Sequence, residues 1–318
     1  MSETVPVPAL SPAIAEPHRS ATLAPAPATS RSRVWRDAMA SPLVVGVTAA
    51  LFVALFAKPM QLLALDWWNN PEAGHGLLLA PLAFWLAYRE GVRDDARPSI
   101  KLGLLILVGA VLLRYMSGLA AELYTMRISM IMALVGFTVY AYGVRQVIHW
   151  WLPFALVWLS VPLPELVTSS LALPLQFKAS QMGASMLEWR QIPVRLDGNV
   201  IRLPGHQLFV AEACSGLRSL TALFALSVLL GGMTLRTPWS RLAIIVAAIP
   251  IAILINGVRV FLTGFLVYFV SPEMGEGFMH VTEGWLLFLV AFGLLGAVAW
   301  VVMRIERAVT ARRESTDV

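Results

Sequence analysis

Long apolar segments follow one another along most of this chain, and they constrain its fold more than any other feature. A helix needs roughly 20 apolar residues to cross a hydrocarbon core of about 30 Å. About eight segments approach that length, at approximately 42–57, 74–88, 102–120, 123–142, 147–163, 216–233, 240–269 and 282–303. Hydrophobic residues make up 58% of the 318 residues and charged residues only 14%, which is too apolar for a soluble domain. We predict an all-α, polytopic membrane protein with about eight transmembrane helices.

The positive charges between these segments predict the orientation of the chain. They lie before the first segment, after the second, fourth and eighth, and between the sixth and seventh: Arg31, Arg33, Arg36, Arg89, Arg93, Arg97, Lys101, Arg145, Arg236, Arg241, Arg304, Arg307, Arg312 and Arg313. An even number of spans puts all of them on one side, and the positive-inside rule makes that side cytoplasmic. Both termini are then cytoplasmic. The net charge of +5 follows from this bias, so we expect no nucleic-acid partner.

The chain divides into three regions by composition. Residues 1–37 are rich in proline, alanine and serine, and predict a disordered cytoplasmic tail. Residues 38–305 form the membrane domain, and residues 306–318 a basic cytoplasmic tail. Within the membrane domain, we expect residues 164–215 to form a long segment on the outer face.

Two small elements are predicted in that outer segment, before the sixth span. Residues 171–189 mix apolar and polar side chains, which is typical of a helix that lies at the membrane interface. Residues 192–205 alternate between apolar and polar around Asp197-Gly198-Asn199, which predicts a β-hairpin.

The only cysteine, Cys214, lies where this outer segment meets the sixth span. A single cysteine cannot form an internal disulfide. We expect Cys214 or Ser215 to occupy the N-cap region of the following helix, where unpaired N–H groups favour a thiolate. Gly216 would let a substrate backbone approach closely.

The predicted topology brings two more reactive side chains to the same side and depth. Arg259, toward the outer end of the seventh span, would stabilise an oxyanion, and His280, at the start of the eighth, would exchange a proton with the thiol and the leaving amine. Asn256, one turn before Arg259, would orient it or bind the substrate backbone. Arg218 and Glu212 have supporting roles, tuning the thiol or pairing with each other. These residues predict a cysteine acyl-transfer site.

Other interpretations of these residues stay open. Cys214 could be a packing residue, Arg259 could extend to the outer headgroups, and His280 could be an interfacial side chain. A zinc site built from these and from His206 and Glu212 lacks the HExxH and CxxC spacings, so we expect no metal. A glycine-rich phosphate loop is also missing, so we expect no cofactor.

A different class of function is the alternative: a transporter, or a membrane subunit of an exopolysaccharide export system. The intramembrane charges would then line a pathway. Such a pathway should tolerate Cys214→Ser, whereas a thiol nucleophile should not.

These motifs resemble those of the exosortase/archaeosortase family. The resemblance rests on residues 212–220 around the cysteine, on Asn256-Gly-Val-Arg259, and on His280 with Gly284. Gly74-His-Gly76 is similar to a feature near the N-terminal end of that family. The similarity covers most of residues 42–303.

The resemblance implies a thiol protease or transpeptidase at the periplasmic face of a bacterial inner membrane. It would cleave C-terminal sorting signals of the PEP-CTERM kind from exported proteins, in contact with membrane lipids and often beside exopolysaccharide machinery. By the same resemblance, Cys214 is the nucleophile, Arg259 the oxyanion stabiliser and His280 the base or acid.

Overall fold

A computed structural model describes residues 41–70, 72–210, 216–271 and 277–316, with the side chains of the last range described from 284 to 311. The predicted disordered tail therefore lies outside the described residues. The described residues form ten helices and three strands: α1 (Pro42–Asn69), α2 (Gly76–Glu90), α3 (Ile100–Leu119), α4 (Leu123–Tyr142), α5 (Val144–His149), α6 (Trp151–Leu159), α7 (Glu165–Trp189), β1 (Arg195–Asp197), β2 (Val200–Leu203), β3 (His206–Phe209), α8 (Leu217–Thr234), α9 (Pro238–Phe269) and α10 (Gly277–Thr316). By their contacts the residues divide into two units, 1–45 and 46–318, and the packing below lies within the second.

In the part of the chain that the structure describes, six helices are long and apolar enough to cross a membrane: α1, α3, α4, α8, α9 and residues 284–311 of α10. The predicted α-helical, multi-pass architecture is thereby confirmed. The other two predicted spans are helical but shorter. The 15 residues of α2 extend about 22 Å, and residues 147–163 divide between α5 and α6 at Trp150. The number eight therefore stays a prediction.

The helix that follows the cysteine motif, α8, is held on two sides. On one side, Leu223 packs with Ile244 and Ala252 of α9 and with Leu295 of α10. On its other side, residues of α8 pack with α2 and α6 in a second apolar cluster: Leu79, Ala83, Leu86, Leu152, Leu156, Ala225 and Val228. The middle of α8 is therefore positioned by long-range packing on both sides.

The Gly74-His75-Gly76 motif joins α2 to the end of α6. His75 Nε2 lies 3.2 Å from the carbonyl oxygen of Leu159, and Trp67 Nε1 donates to the carbonyl oxygen of Ser160 at 2.7 Å. These contacts satisfy carbonyl groups that a helix end leaves without intrahelical partners. Gly76 packs against the Trp67 indole with no room for a side chain. The motif thus has a structural role in this chain.

A charged pair links α1 and α4. Arg127 is buried within α4, and its guanidinium donates to the Asp66 carboxylate of α1 at 2.6 Å. A buried arginine is costly without a charged partner, so this pair constrains how the two helices pack.

The predicted hairpin is confirmed, and it belongs to a larger sheet. β1 pairs with β2 around a two-residue loop at Gly198-Asn199, with Asp197 opposite Val200. A third antiparallel strand, β3, was not predicted; it pairs with β2 after a turn at Pro204-Gly205. Gly205 has φ +78°, and proline followed by such a glycine is the signature of a type II turn. This turn was the sequence signal for the missed strand.

The helix predicted at 171–189 is present as α7, which begins six residues earlier, at Glu165. It packs along α9, and together with the sheet the two helices enclose an apolar core that includes Leu187, Ile201 and Val260. Its place at a membrane interface stays a prediction. At the other end of the chain, α10 continues to Thr316 without a break at the predicted boundary near 305.

Glu122, between α3 and α4, caps α4 and makes an acid-sensitive contribution to stability. Its carboxylate accepts hydrogen bonds from the backbone N–H groups of Tyr124 (3.0 Å) and Thr125 (2.6 Å). Burial by itself would raise the pKa of Glu122, but these bonds and the Thr125 hydroxyl outweigh it, so the pKa is lowered from 4.5. A carboxyl whose folded pKa is lowered stabilises the protein above its unfolded pKa, and this stability is lost as the pH falls through the folded pKa.

We therefore expect Glu122→Ala to lower the free energy of unfolding by about 1 kcal/mol at pH 7. The difference from wild type should shrink as the pH falls below 4.5. Thermal unfolding in detergent at several pH values measures both effects. Glu188→Ala, at an exposed position of α7, is the control. If the difference in unfolding free energy between wild type and Glu122→Ala does not change with pH, the carboxylate does not have this role.

Candidate active site

The helix after the cysteine motif begins at Gly216. This residue is the N-cap of α8, with φ +76° and ψ −2°, and Leu217 is the first helical residue. The predicted N-cap region includes Cys214 and Ser215, which lie outside the described residues, and the N-cap itself is Gly216 in the left-handed backbone conformation. Only glycine adopts this conformation at little cost.

Gly216 lies directly against Asn256 of α9. A Cβ atom on Gly216 would lie 2.6 Å from Cγ and 2.7 Å from Nδ2 of Asn256, closer than atoms can pack. Asn256 itself is 5% exposed. The Asn256 side chain fills the space on this side of the glycine, so the predicted approach of a substrate backbone does not take place here. The glycine therefore sets the distance between the cysteine motif and α9.

Arg259, one turn after Asn256, lies against the start of α10. A Cβ atom on Gly284 would lie 3.1 Å from one terminal guanidinium nitrogen of Arg259 and 3.3 Å from its Cζ. The guanidinium therefore rests on the backbone of α10 at Gly284, and Arg259 is half-buried there. His280 is the fourth residue of α10 and precedes Gly284 by four residues, about one helical turn.

The structure thus brings together parts of the three chain segments that contain the predicted site residues. The start of α8, the Asn256–Arg259 turn of α9 and the second turn of α10 lie close together, although α9 continues for ten residues beyond Arg259. We call this region the cysteine-motif end. Arg218 is also there, exposed in the first turn of α8. Glu212, Cys214 and Ser215, and the side chain of His280, lie outside the described residues.

The chain is also anchored immediately before the cysteine motif. Val210 is 1% exposed; its backbone N–H donates to the Asn199 carbonyl at 3.0 Å, and its own carbonyl accepts from Asn199 Nδ2 at 3.3 Å. Asn199 belongs to the β1–β2 loop. The motif is therefore attached to the sheet at Val210 and to α9 at Gly216. Sequence reasoning missed Asn199 as a site-building residue, because its partner lies 11 positions away.

Two glycines of α9, one beside Asn256 and one just over a turn beyond Arg259, let α7 approach α9 closely. A Cβ atom on Gly257 would lie 2.9 Å from Cβ of Met182, and one on Gly264 would lie 2.9 Å from a methyl group of Leu187. Glycines at such contacts allow helix backbones to approach each other in membrane proteins. Their spacing of seven residues puts both on one face of α9, a pattern that is visible in the sequence.

A small cleft lies at the cysteine-motif end, where α7, α8 and α9 meet. Its lining consists of Leu175, Gly216, Leu220, Ala252, Ile253 and Asn256, and it holds about 220 Å³ of space, part of it open to solvent. The cleft is apolar except for the Asn256 amide. It therefore lies beside the glycine that begins α8, two residues after Cys214.

The family model described as Transmembrane exosortase (Exosortase_EpsH) matches residues 67–297. That match covers well over half of the chain and includes every residue of the cysteine-motif end. The chain belongs to the transmembrane exosortase family. No curated protein and no solved structure matches it significantly. Family membership supports a membrane-bound sorting and transpeptidase function in general, with protein substrates that carry sorting signals.

In this exosortase, the residues considered for zinc are only partly described. Within the described ranges, no three histidine, cysteine, aspartate or glutamate side chains are placed to hold a metal ion. His206 is half-buried in β3, while the side chains of Glu212, Cys214 and His280 fall outside those ranges.

Proposed function

We propose that this exosortase is a membrane-embedded cysteine endopeptidase and transpeptidase that removes C-terminal sorting signals from exported proteins. Cys214 is the nucleophile, Arg259 stabilises the oxyanion, and His280 acts as base and then as acid. The substrates are proteins with a tail of the PEP-CTERM kind. The reaction takes place at the periplasmic face of a bacterial inner membrane, with both enzyme termini in the cytoplasm.

One observation supports this assignment above all: Arg259 reaches from α9 to Gly284 of α10, about one turn from His280, while Asn256 contacts Gly216, two residues after Cys214. Gly216, Arg259 and Gly284, which lie far apart in the sequence, are thereby brought close to one another. An arginine that is half-buried among apolar helices is also in a setting where its charge is weakly screened.

The reaction follows from the chemistry of these groups. His280 accepts the thiol proton, and the Cys214 sulfur then attacks the carbonyl carbon of the peptide bond, so that a C–S bond forms and the carbonyl oxygen becomes negative. Arg259 donates hydrogen bonds to that oxygen. When the intermediate collapses, the C–N bond breaks and the imidazolium gives its proton to the leaving amine. Water or an acceptor amine then attacks the thioester and releases the thiol.

The membrane location suits such a substrate. A tail helix that enters laterally among the spans would bring its juxtamembrane peptide to the thiol with little diffusional search. Apolar surroundings would protect the thioester from water until an acceptor arrives. A link to exopolysaccharide machinery forms part of this proposal.

The test is the size of a tailed substrate protein in cells that carry wild-type enzyme, Cys214→Ala or Cys214→Ser. We expect both variants to accumulate in the membrane at normal levels and to leave the substrate unprocessed, because neither alanine nor serine supplies a thiolate. A thioester between wild-type enzyme and substrate, absent in both variants, would support the assignment further. Normal processing in the variants would overturn it.

The same variants distinguish the proposed function from the alternative one. If the chain is a transporter or an export subunit, its charged residues line a pathway and Cys214→Ser should leave polysaccharide export and cell phenotype largely unchanged. A loss that depends on sulfur is expected only for a nucleophile.

A further inference from the structure

Glu306 of α10 caps the start of α9, far along both helices from the contact between Arg259 and Gly284. Its carboxylate accepts hydrogen bonds from the backbone N–H of Thr237 at 2.6 Å and from that of Arg236 at 3.2 and 3.3 Å. Thr237 is the N-cap of α9. In a capping box, a glutamate of the same helix accepts from the N-cap N–H, whereas this glutamate belongs to another helix, 69 positions away. The contact therefore holds α10 against the start of α9.

The contact at Glu306 and the contact at Arg259 lie in one register of two antiparallel helices. Arg259 follows Thr237 by 22 residues, and Glu306 follows Gly284 by 22 residues. Helix is continuous over both segments once α9 has begun. At a rise of 1.5 Å per residue, the two contacts are about 33 Å apart along each helix. Because these separations are equal, both contacts form together at one position of α10 along α9.

Buried apolar residues lie between these two contacts and form a seam, which we call the α9–α10 seam. Its members recur at every fourth position, are at most 4% exposed and belong to one cluster: Ile244, Ala248 and Ala252 of α9, and Ala291, Leu295 and Ala299 of α10. Four of the six are alanines, and small residues let helix backbones approach closely in membrane proteins. A close-packed interior does not deform continuously, so the seam carries a displacement of α10 at Glu306 along the helix to Gly284.

We propose that Glu306 is a positioning residue for the reaction. It fixes the position of α10 along α9, and that position places the backbone of Gly284 against the guanidinium of Arg259. The inference rests on the proposed function, in which Arg259 stabilises the oxyanion. Removal of the carboxylate lets α10 slide along α9 by about 1–2 Å, as packed helices do in conformational transitions. The guanidinium then loses its support, and its donors move away from the reacting oxygen.

Processing of a tailed substrate protein in cells measures the effect on the reaction. We expect Glu306→Ala to process about 10-fold more slowly than wild type at equal membrane levels, because a displacement of about 1 Å from a distant change can cost up to about 100-fold. Glu306→Gln should recover most of the rate, since its amide oxygen can accept the same backbone hydrogen bonds. Arg307→Ala is the matched control and should process normally: Arg307 is the exposed neighbour, and it hydrogen-bonds to Met303 of its own helix.

A distance measurement tests the position of α10 directly and needs no substrate. In a Cys214→Ser background, spin labels are attached at Leu254→Cys of α9 and Leu286→Cys of α10, two exposed positions near the cysteine-motif end. Pulsed electron paramagnetic resonance gives the distribution of distances between the labels. We expect Glu306→Ala to shift or broaden this distribution by about 1–2 Å, and the glutamine variant and the control to leave it unchanged.

The two measurements separate this proposal from the proposed function. Normal processing in Glu306→Ala overturns the positioning role. Slow processing with an unchanged distance distribution also overturns it, because Glu306 then acts without moving α10. If wild type leaves the substrate unprocessed, the proposed function fails, and the distance measurement still decides whether Glu306 fixes the position of α10 along α9.

Discussion

Gly216→Ala should abolish most substrate processing, with a fall of about 100-fold or more, while the protein still accumulates in the membrane. Two independent conflicts arise at this position. The φ of +76° costs an L-residue about 1–2 kcal/mol. In addition, the new methyl group would lie 2.6 Å from Cγ of Asn256, where overpacking typically costs about 1–3 kcal/mol.

The expected fall in processing rate comes mainly from a displaced cysteine motif. The start of α8 must move away from α9 to admit the methyl group, and Cys214 is only two residues from that point. A displacement of about 1 Å at a reacting group can reduce a rate by about 100-fold. Stability alone should fall by a few kcal/mol at most, because α8 keeps its packing with α9, α10 and the α2–α6 cluster.

A matched control separates backbone strain from this displacement. Gly205, in the turn between β2 and β3, has φ +78° but would meet nothing within 4 Å of an added Cβ atom. Gly205→Ala therefore carries the same backbone strain without the clash. Processing should stay within a few-fold of wild type in Gly205→Ala. Equal losses in the two variants, or normal processing in Gly216→Ala, would show that the contact with Asn256 does not position the motif.

Arg259→Ala should lower the processing rate by about 100- to 1,000-fold, the usual effect of removing one oxyanion donor. Arg259→Lys should recover only part of that loss, because an ammonium group keeps the charge but lacks the planar, forked donors of a guanidinium. Time courses of substrate processing in cells, normalised to enzyme in the membrane, measure both. Arg195→Ala, on the exposed edge of the sheet with its side chain 81% exposed, is the control and should process normally.

A change on the opposite helix tests whether the position of Arg259 matters as well as its charge. A Cβ atom on Gly284 would crowd the guanidinium at 3.1 Å, so Gly284→Ala requires a shift of a few tenths of an ångström and Gly284→Val a larger one. We expect a graded loss, small for alanine and more than 10-fold for valine. If Gly284→Val processes the substrate normally while Arg259→Ala does not, processing requires the charge of Arg259 but not its contact with Gly284 of α10.

Much of the architecture followed from the sequence, because local patterns determined it. Apolar segments such as 123–142 are long enough to form spanning helices wherever they lie, and α4 has those bounds. Asp197-Gly198-Asn199 favours a tight turn through its own backbone preferences, and the β1–β2 pair closes there. By contrast, β3 was missed because its four residues have little pattern of their own beyond the Pro204-Gly205 turn. The break at Trp150, near the start of residues 147–163, was also missed, although Pro153 marks it: proline has no N–H to bond with the carbonyl group of residue 149.

For the candidate site, the sequence by itself determined which residue types stand near one another along the chain: the single cysteine, the Asn256–Arg259 turn, and His280 before Gly284. Only the tertiary structure decided which of their faces meet. Asn256 packs against Gly216, Arg259 packs against Gly284, and Asn199 donates a hydrogen bond to Val210. In each pair the two residues belong to different elements. Helical and strand periodicities reflect the environment of one segment at a time, so they predict where a segment lies. Contacts between segments depend on side-chain volumes and close approach, and these arise only when the helices pack.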